Sequence, residues 1–278
     1  LNHLSTLLRE NDWQVNAVIL NEEEIITVLP VGRTPLGFAV DIGTTKVAGY
    51  LVDLLTGETL AKSGVGNPQV PYGEDVVSRI QYANQNEDGA MTLQARLVER
   101  LNDLIHTLCD EVGVQPSQIV DSVFVGNTAI HHLFLRIPVT QLGEAPYVAA
   151  ISDAVERPAM SMGLHMAPGA YLYMPPNIAG YVGADHTSML LATQTVQRAA
   201  ENDQTIVALD IGTNTEISLA HDGRLLSCSC ASGPAFEGAH ITNGMRAMPG
   251  AIERIRIDQD IPILKTIENA APIGICGS

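Results

Sequence analysis

The sequence is poor in aromatic and in basic side chains. Phe, Trp and Tyr make up 4% of its 278 residues, and 15 Lys and Arg stand against 31 Asp and Glu, a formal charge of −16. Nucleic-acid binding draws on cationic side chains for phosphates and on aromatic rings for bases, so no nucleic-acid partner is expected. No apolar run reaches the ~18–20 residues of a membrane span. The opening stretch LNHLSTLLRENDW lacks the basic start, apolar centre and cleavage site of a secretory leader. A cytoplasmic chain with no membrane partner is therefore expected. Cysteine is scarce as well: Cys109, Cys228, Cys230 and Cys276 include no Cys-x-x-Cys, and Cys228 and Cys230 would share one face of a strand. That pattern predicts reduced, structural thiols.

What the chain does have is a repeated phrase. Asp41-Ile42-Gly43-Thr44-Thr45 and Asp210-Ile211-Gly212-Thr213-Asn214 lie 210 − 41 = 169 residues apart. Each follows an apolar run (Phe38 to Val40; Ile206 to Leu209) and precedes an alternating stretch, the pattern of a β-hairpin with a polar tip. A second turn, Thr56-Gly57 or Asp222-Gly223, leads into a third strand, Leu60 to Val65 or Leu225 to Cys230. Gly lets an anion approach backbone N–H groups, and Thr adds a hydroxyl donor. Asp suits Mg²⁺, which is held by one or two carboxylates together with waters and phosphates. A single Asp-x-Gly-Thr is commonly an ordinary turn, but two copies with their flanking strands predict a pair of tips that clamp a polyphosphate.

The length predicts about two domains, and 46% hydrophobic residues suffice for their cores. Residues 1–35 stand outside the repeat, with a short helical start, strand-like runs over 14–20 and 24–29, and a Pro- and Gly-containing linker over 30–35. The division expected is 1–35 as the end of a preceding middle or linker domain, 36–204 as lobe I and 205–278 as an incomplete lobe II. In lobe I the spacing predicts helices over 74–84 and 91–112, the second with Leu93, Leu97, Leu101, Leu104 and Leu108 on one stripe. A strand over 122–125 runs into Gly126-Asn127-Thr128 and a helix over 129–135, which puts free N–H groups at a strand end. Asn127 and Thr128 are either phosphate neighbours or helix caps. His131 and His132 project about 100° apart on that helix and make a poor metal pair.

The stretch 138–176 is irregular, as in a functional or partner-binding loop, and ends in a strand over 170–174. One helix is predicted from Gly180 to Asp185 through Leu191 into Thr195, with Asp185 as a cleft acid or a helix-start carboxylate. After Cys230, Pro234 fits a first helical turn and Glu237 lies within it. Short strands over 252–257 and 263–267 follow.

The paired tips resemble the phosphate-1 and phosphate-2 motifs of the actin, sugar kinase and Hsp70-like ATPase superfamily. The resemblance implies an α/β fold of two related, ribonuclease H-like lobes with ATP in the cleft, lobe II being truncated here. FVGNTAIHHL, PNIAGYVGADHTS, CSCASGPAFEGAHITNGM and GICGS, in this order around the two tips, resemble one branch in particular, the ATP-dependent reductive activators of corrinoid proteins. That implies an ATPase whose hydrolysis drives reduction of cobalt(II) to cobalt(I) in a corrinoid protein of a methyltransferase system. Its partners would be the corrinoid protein and a low-potential electron donor, and a homodimer is compatible with it. Family members carry a 2Fe–2S ferredoxin domain, but the spacing Cys-x4-Cys-x2-Cys occurs nowhere here. The cluster is expected in an N-terminal domain outside this sequence, and the start at Leu1 suggests a piece of a longer chain.

By the same resemblance, Asp41 and Asp210 organise Mg²⁺ and, with Asn127, form the catalytic set. Gly43, Thr44, Thr45, Lys46, Gly212, Thr213, Asn214, Gly233 and Glu237 are the expected contacts of ATP, Glu237 either facing the ribose or capping a helix. Lys46 has no counterpart in the second copy, where Thr215 stands, and is either a phosphate partner or a solvated side chain. Ser227, Ser229 and Ser232 are candidates to face the cobalt. A small-molecule kinase and a nucleotide-gated interaction protein share the scaffold and stay open as alternatives. An incomplete lobe II would leave its sheet uncovered, so marginal solubility is expected.

Overall fold

A computed structural model of the chain describes residues 4–201, 203–233, 238, 241–246, 248–259 and 261–277. They form two compact units, Leu1–Ala192 and Thr193–Ser278.

The first unit opens with helix α1 (Leu4–Glu10) and an antiparallel ribbon of β1 (Asn16–Leu20) and β2 (Glu24–Leu29). Ile26 of β2 is buried in the unit's core, and Tyr171 Oη donates to Glu24 Oε2 at 3.0 Å. Then come β3 (Leu36–Ile42), β4 (Lys46–Asp53), β5 (Thr59–Gly66), α2 (Val76–Gln85), α3 (Gly89–Val112), β6 (Ile119–Gly126), α4 (Thr128–Leu135), β7 (Val155–Pro158), β8 (Tyr171–Met174) and α5 (Ala184–Ala192). The six-stranded sheet has the order β5-β4-β3-β6-β8-β7. Its first three strands are antiparallel, β6 and β8 continue parallel to β3, and β7 closes the edge antiparallel.

The helical stripe of α3 lies on this sheet, and Leu93, Leu97, Leu101, Leu104 and Leu108 are buried together with Ile105. Gly113 ends the helix with φ 70°, a left-handed cap in which a side chain would be strained. Phe38 and Phe124 meet edge to face with ring centroids 5.9 Å apart, and Phe124 stacks on Phe134 at 5.5 Å, so aromatic contacts tie β3, β6 and α4 into one block. The stretch 138–176 is less open than its composition predicts. It holds strand β7, with Pro158 on an edge where no ladder N–H is needed, and sends Leu142, Leu164, Met166 and Ala167 into the core.

The second unit holds α6 (Thr195–Glu201), β9 (Ile206–Ile211), β10 (Asn214–His221), β11 (Arg224–Ala231), β12 (Gly244–Met245), β13 (Ala251–Asp258), β14 (Ile261–Thr266) and β15 (Gly274–Cys276). The helix predicted to open at Gly180 to Asp185 and run into Thr195 is two: Gln194, at φ 52°, breaks it. The second piece packs on β9 and β10, within the compact unit that begins at Thr193. β11-β10-β9 is an antiparallel sheet in the same order as β5-β4-β3, and β12-β15-β13-β14 forms a second sheet. On one face of β9, Val207, Leu209 and Ile211 are 55%, 54% and 58% exposed, a bare apolar surface that continues across Leu219 of β10 to Leu226 of β11.

Candidate functional site

Each repeated phrase sits where its first two strands turn. In the first unit Ile42 pairs with Val47, so Gly43 to Lys46 form the tip. In the second Ile211 pairs with Thr215, so Gly212 to Asn214 form it. The copies align residue for residue in sequence, yet their hairpins differ in register by one, and a one-residue slip turns a side chain to the other face. Val47 therefore points into the core, while Glu216, its counterpart in sequence, faces the Asp210 side of the sheet.

The first tip is held from behind by its carbonyls. Asn67 Nδ2 donates to Gly43 O at 2.8 Å, the Asn67 N–H donates to Thr45 O at 2.9 Å, and the Arg79 guanidinium donates to Thr44 O. In a trans peptide the N–H points opposite to the C=O. Tying back the carbonyls of Gly43 and Thr44 thus turns the N–H groups of Thr44 and Thr45 outward, and among the described residues neither donates a hydrogen bond. A Cβ on Gly43 would stand 2.8 Å from Lys46 O, so the turn closes only with glycine there.

The second tip repeats the device with different donors: the N–H groups of Ser232 and Gly233 reach Thr213 O at 3.3 and 3.1 Å. Asn67 follows β5 and Ser232 follows β11, so in both units the residue after the third strand folds back on the tip. Gly233, an expected contact of ATP, thus lies against the second tip.

The other candidates divide. Asn127 is both cap and neighbour: its Oδ1 accepts from the Ile130 N–H at 2.9 Å, and its Nδ2 donates to Thr44 Oγ1 at 3.3 Å. Thr128 is fully buried and donates to Ala179 O at 2.7 Å, which anchors the loop before α5 and leaves its hydroxyl unavailable to a phosphate. Asp185 accepts from the His186 N–H within the first turn of α5. Lys46 opens β4 with an exposed side chain. Glu237 lies outside the described residues. The serines proposed to face cobalt spend their hydroxyls inside the unit, Ser227 on Ser218, Ser229 on Glu216 and Ser232 on Thr215.

His131 and His132 are both buried. Nε2 of His132 accepts the Ala150 N–H at 3.0 Å and its Nδ1 lies 2.8 Å from Thr128 O, which fixes a neutral ring with the proton on Nδ1. Burial, with His132 beside it, lowers the His131 pKa to about 4.

Asn67, Arg79 and Glu216 belong to the tips and carried no sequence signal strong enough to be singled out. Glu216 is 8% exposed, stands opposite Asp210 in the ladder, and accepts from Ser229 Oγ at 2.9 Å. Burial pushes its carboxyl above the ordinary range, the charge of Asp210 adds to the rise, and the Ser229 hydrogen bond opposes it. A raised folded-state pKa means that protonation favours the fold. That contribution is complete below the unfolded value and is lost as the pH climbs through the folded one. Glu216→Gln, measured without divalent cation, is therefore expected to raise the melting temperature at pH 7 by about 2–4 °C, with the gain vanishing near pH 4. An unchanged or lower melting temperature at pH 7 would contradict this account.

A single Asp at each tip fits Mg²⁺, which takes one or two carboxylates and fills its shell with water and phosphate oxygens. The cysteines do not fit an iron–sulfur cluster. Cys109 and Cys276 are buried, Cys228 and Cys230 are exposed on one strand, and among the described residues no group of three or more His, Cys, Asp or Glu is placed to hold a metal. No helix among them is long and apolar enough to cross a membrane.

A sheet of three antiparallel strands continued by parallel ones, with a second unit repeating its first hairpins and tip, defines the class: the α/β fold of the actin, sugar kinase and Hsp70-like ATPases. A family model described as the RACo middle region matches residues 36–198, and one described as the C-terminal domain of RACo, the ASKHA domain, matches residues 204–278. The chain belongs to the RACo family. It is 33% identical to the corrinoid activation enzyme RamQ of Eubacterium limosum over 281 residues, 100% of this chain and 46% of that protein. It is 29% identical over 226 residues to a Co(II) methylated amine-specific corrinoid protein reductase of Methanosarcina barkeri, 78% of this chain and 40% of that protein. The solved structure of a reductive activator for a corrinoid, iron–sulfur protein superposes with a TM-score of 0.85 at 38% identity, over 99% of this chain and 44% of the other. The chain thus spans less than half the length of these relatives.

Proposed function

We propose that the chain is the nucleotide-binding portion of an ATP-dependent reductive activator of corrinoid proteins. In the whole protein, binding and hydrolysis of MgATP drive one electron from a low-potential donor, through a 2Fe–2S cluster outside these residues, onto cobalt(II), which becomes cobalt(I). The observation that carries the reading is the first tip, whose carbonyls are tied back so that the amides of Thr44 and Thr45 turn outward, together with the second tip, where Thr213 O is tied back in the same way. The corrinoid acceptor is the one named for the relatives.

On this reading Gly43, Thr44, Thr45, Gly212, Thr213, Asn214 and Gly233 hold phosphates. Asp41 and Asp210 hold the Mg²⁺ waters, Lys46 offsets phosphate charge, and Asn127, beside Thr44, orients the terminal phosphate. Bound Mg²⁺ neutralises charge on the β- and γ-oxygens.

The test mixes the full-length protein with its corrinoid partner in the cobalt(II) state and titanium(III) citrate as reductant, and follows the cobalt(II) absorption band. Loss of the band is expected with MgATP, and not with MgADP or a non-hydrolysable ATP analogue. Equal loss with and without ATP would overturn the proposal, and transfer of the γ-phosphate to a small hydroxyl compound would favour the kinase alternative.

A further inference from the structure

Behind the first tip lies a buried charge that has no ion-pair partner among the described residues. Arg79, on α2, is fully buried. Its Nε donates to Gly73 O at 3.0 Å, one terminal nitrogen reaches Gln69 Oε1 at 3.4 Å, and the other donates to Thr44 O. All three acceptors are uncharged, and among the described residues the guanidinium forms no ion pair. Asp75 acts on it only from a distance, its carboxylate capping α2 by accepting the Ser78 N–H at 2.7 Å. Desolvation outweighs that carboxylate and lowers the Arg79 pKa to about 10. A buried arginine ordinarily has a carboxylate partner, because removing the charge from water is costly.

Gln69 fixes the geometry further. Its Nε2 donates to Leu93 O at 3.0 Å and its N–H to Asn67 Oδ1 at 2.9 Å, so Gln69 presents its oxygen to Arg79 while Asn67 presents its amide to Gly43 O. Residues 67, 69 and 79 are thus one bracket on the back of residues 43–45. In the second unit the backbone N–H groups of Ser232 and Gly233 tie back the tip where the first unit uses the side chains of Asn67 and Arg79.

We infer that Arg79 is a positioning residue for phosphate at the first tip. It holds the Thr44 carbonyl so that the amide of Thr45 faces the ligand, as Asn67 does for the amide of Thr44 through the Gly43 carbonyl, and its charge, one peptide away from that ligand, is balanced by the phosphate itself. A buried charge is little screened by salt, so the attraction persists at ionic strengths that weaken a surface lysine. The inference rests on the proposed reading of the tips as an ATP site and assigns this site its buried counter-charge.

The test is calorimetric titration of the full-length protein with MgATP, MgADP and adenosine, for the unaltered chain and for Arg79→Lys, Arg79→Met and Asn67→Ala. Arg79→Met is expected to weaken MgATP binding by roughly tenfold to a hundredfold, the range for a lost charge-assisted hydrogen bond, and to leave adenosine affinity unchanged. Arg79→Lys, which keeps the charge without the planar fork, is expected to recover part of the loss. Asn67→Ala, which removes a neutral tie, is expected to weaken all phosphorylated ligands equally and less. If Arg79→Met does not fold, Arg79→Lys decides. MgATP affinity equal to that of the unaltered chain in Arg79→Lys and, where folded, in Arg79→Met overturns the inference, as does equal loss for ATP and adenosine. If the unaltered protein binds no nucleotide, the reading of the tips falls first, and the two failures are told apart.

Discussion

Asp210→Asn is expected to lower ATP turnover of the full-length protein by roughly a hundredfold to a thousandfold, with Asp41→Asn close behind. The substitution keeps size and shape and removes only the charge, which is what a hard divalent cation requires of a ligand that acts through its waters. Asp41 is exposed at the end of its strand and Asp210 is half-buried, so neither replacement opens a cavity, and both variants should melt close to the unaltered protein. The tip amides are untouched, so nucleotide should still bind while its Mg²⁺ dependence shifts to higher concentration. Asp210→Asn has a second consequence that Asp41→Asn lacks. The charge of Asp210 raises the pKa of Glu216, so its removal should return that carboxyl toward the ordinary range. Turnover measured across a Mg²⁺ titration checks the main point, and an Asp210→Asn protein that hydrolyses ATP at the normal rate and the normal Mg²⁺ concentration would remove Asp210 from the site.

The parts of this fold legible in the sequence are those with a period. The α3 stripe was visible because leucines recur at helical spacing, and the two hairpins because apolar runs alternate on either side of Asp-Ile-Gly-Thr. The three-strand order built on them is repeated in both units, and the fold class agrees with the family match. What left no trace is what joins distant residues through single hydrogen bonds. Asn67 to Gly43 and Arg79 to Thr44 span 24 and 35 residues and obey no periodicity. The register offset between the hairpins was hidden for a related reason: Val47 and Glu216 occupy the same place in the phrase, and only the pairing shows that one faces the core and the other Asp210. Strand β7 escaped notice because its four residues include a proline, and the break between α5 and α6 because Gln194 is an ordinary helix former held at positive φ.

Gly183 makes the other large prediction, because it couples the stability of the first unit to its tip. A Cβ built there would lie 2.4 Å from both Asn127 Cα and Gly126 O. These are backbone atoms at the end of β6 and the cap of α4, which cannot rotate aside as a side chain would. Gly183 in turn starts α5, its carbonyl accepting from the Thr187 N–H at 3.1 Å, so Gly183→Ala must push the start of α5 away from Asn127 or shift Asn127 itself. Either movement strains the contact between Asn127 Nδ2 and Thr44 Oγ1, which at 3.3 Å has little slack. The expected result is a loss of about 3 kcal/mol or more of stability, together with weakened MgATP binding in whatever fraction remains folded. Gly66→Ala is the matched control, since nothing lies within 4 Å of its Cβ, and it is expected to melt like the unaltered protein. Denaturant unfolding of the two variants side by side decides the matter. Were Gly183→Ala as stable as Gly66→Ala, the close approach of α5 to the β6–α4 junction would not be a feature of the folded protein, and the placement of Asn127 beside the tip would lose its support.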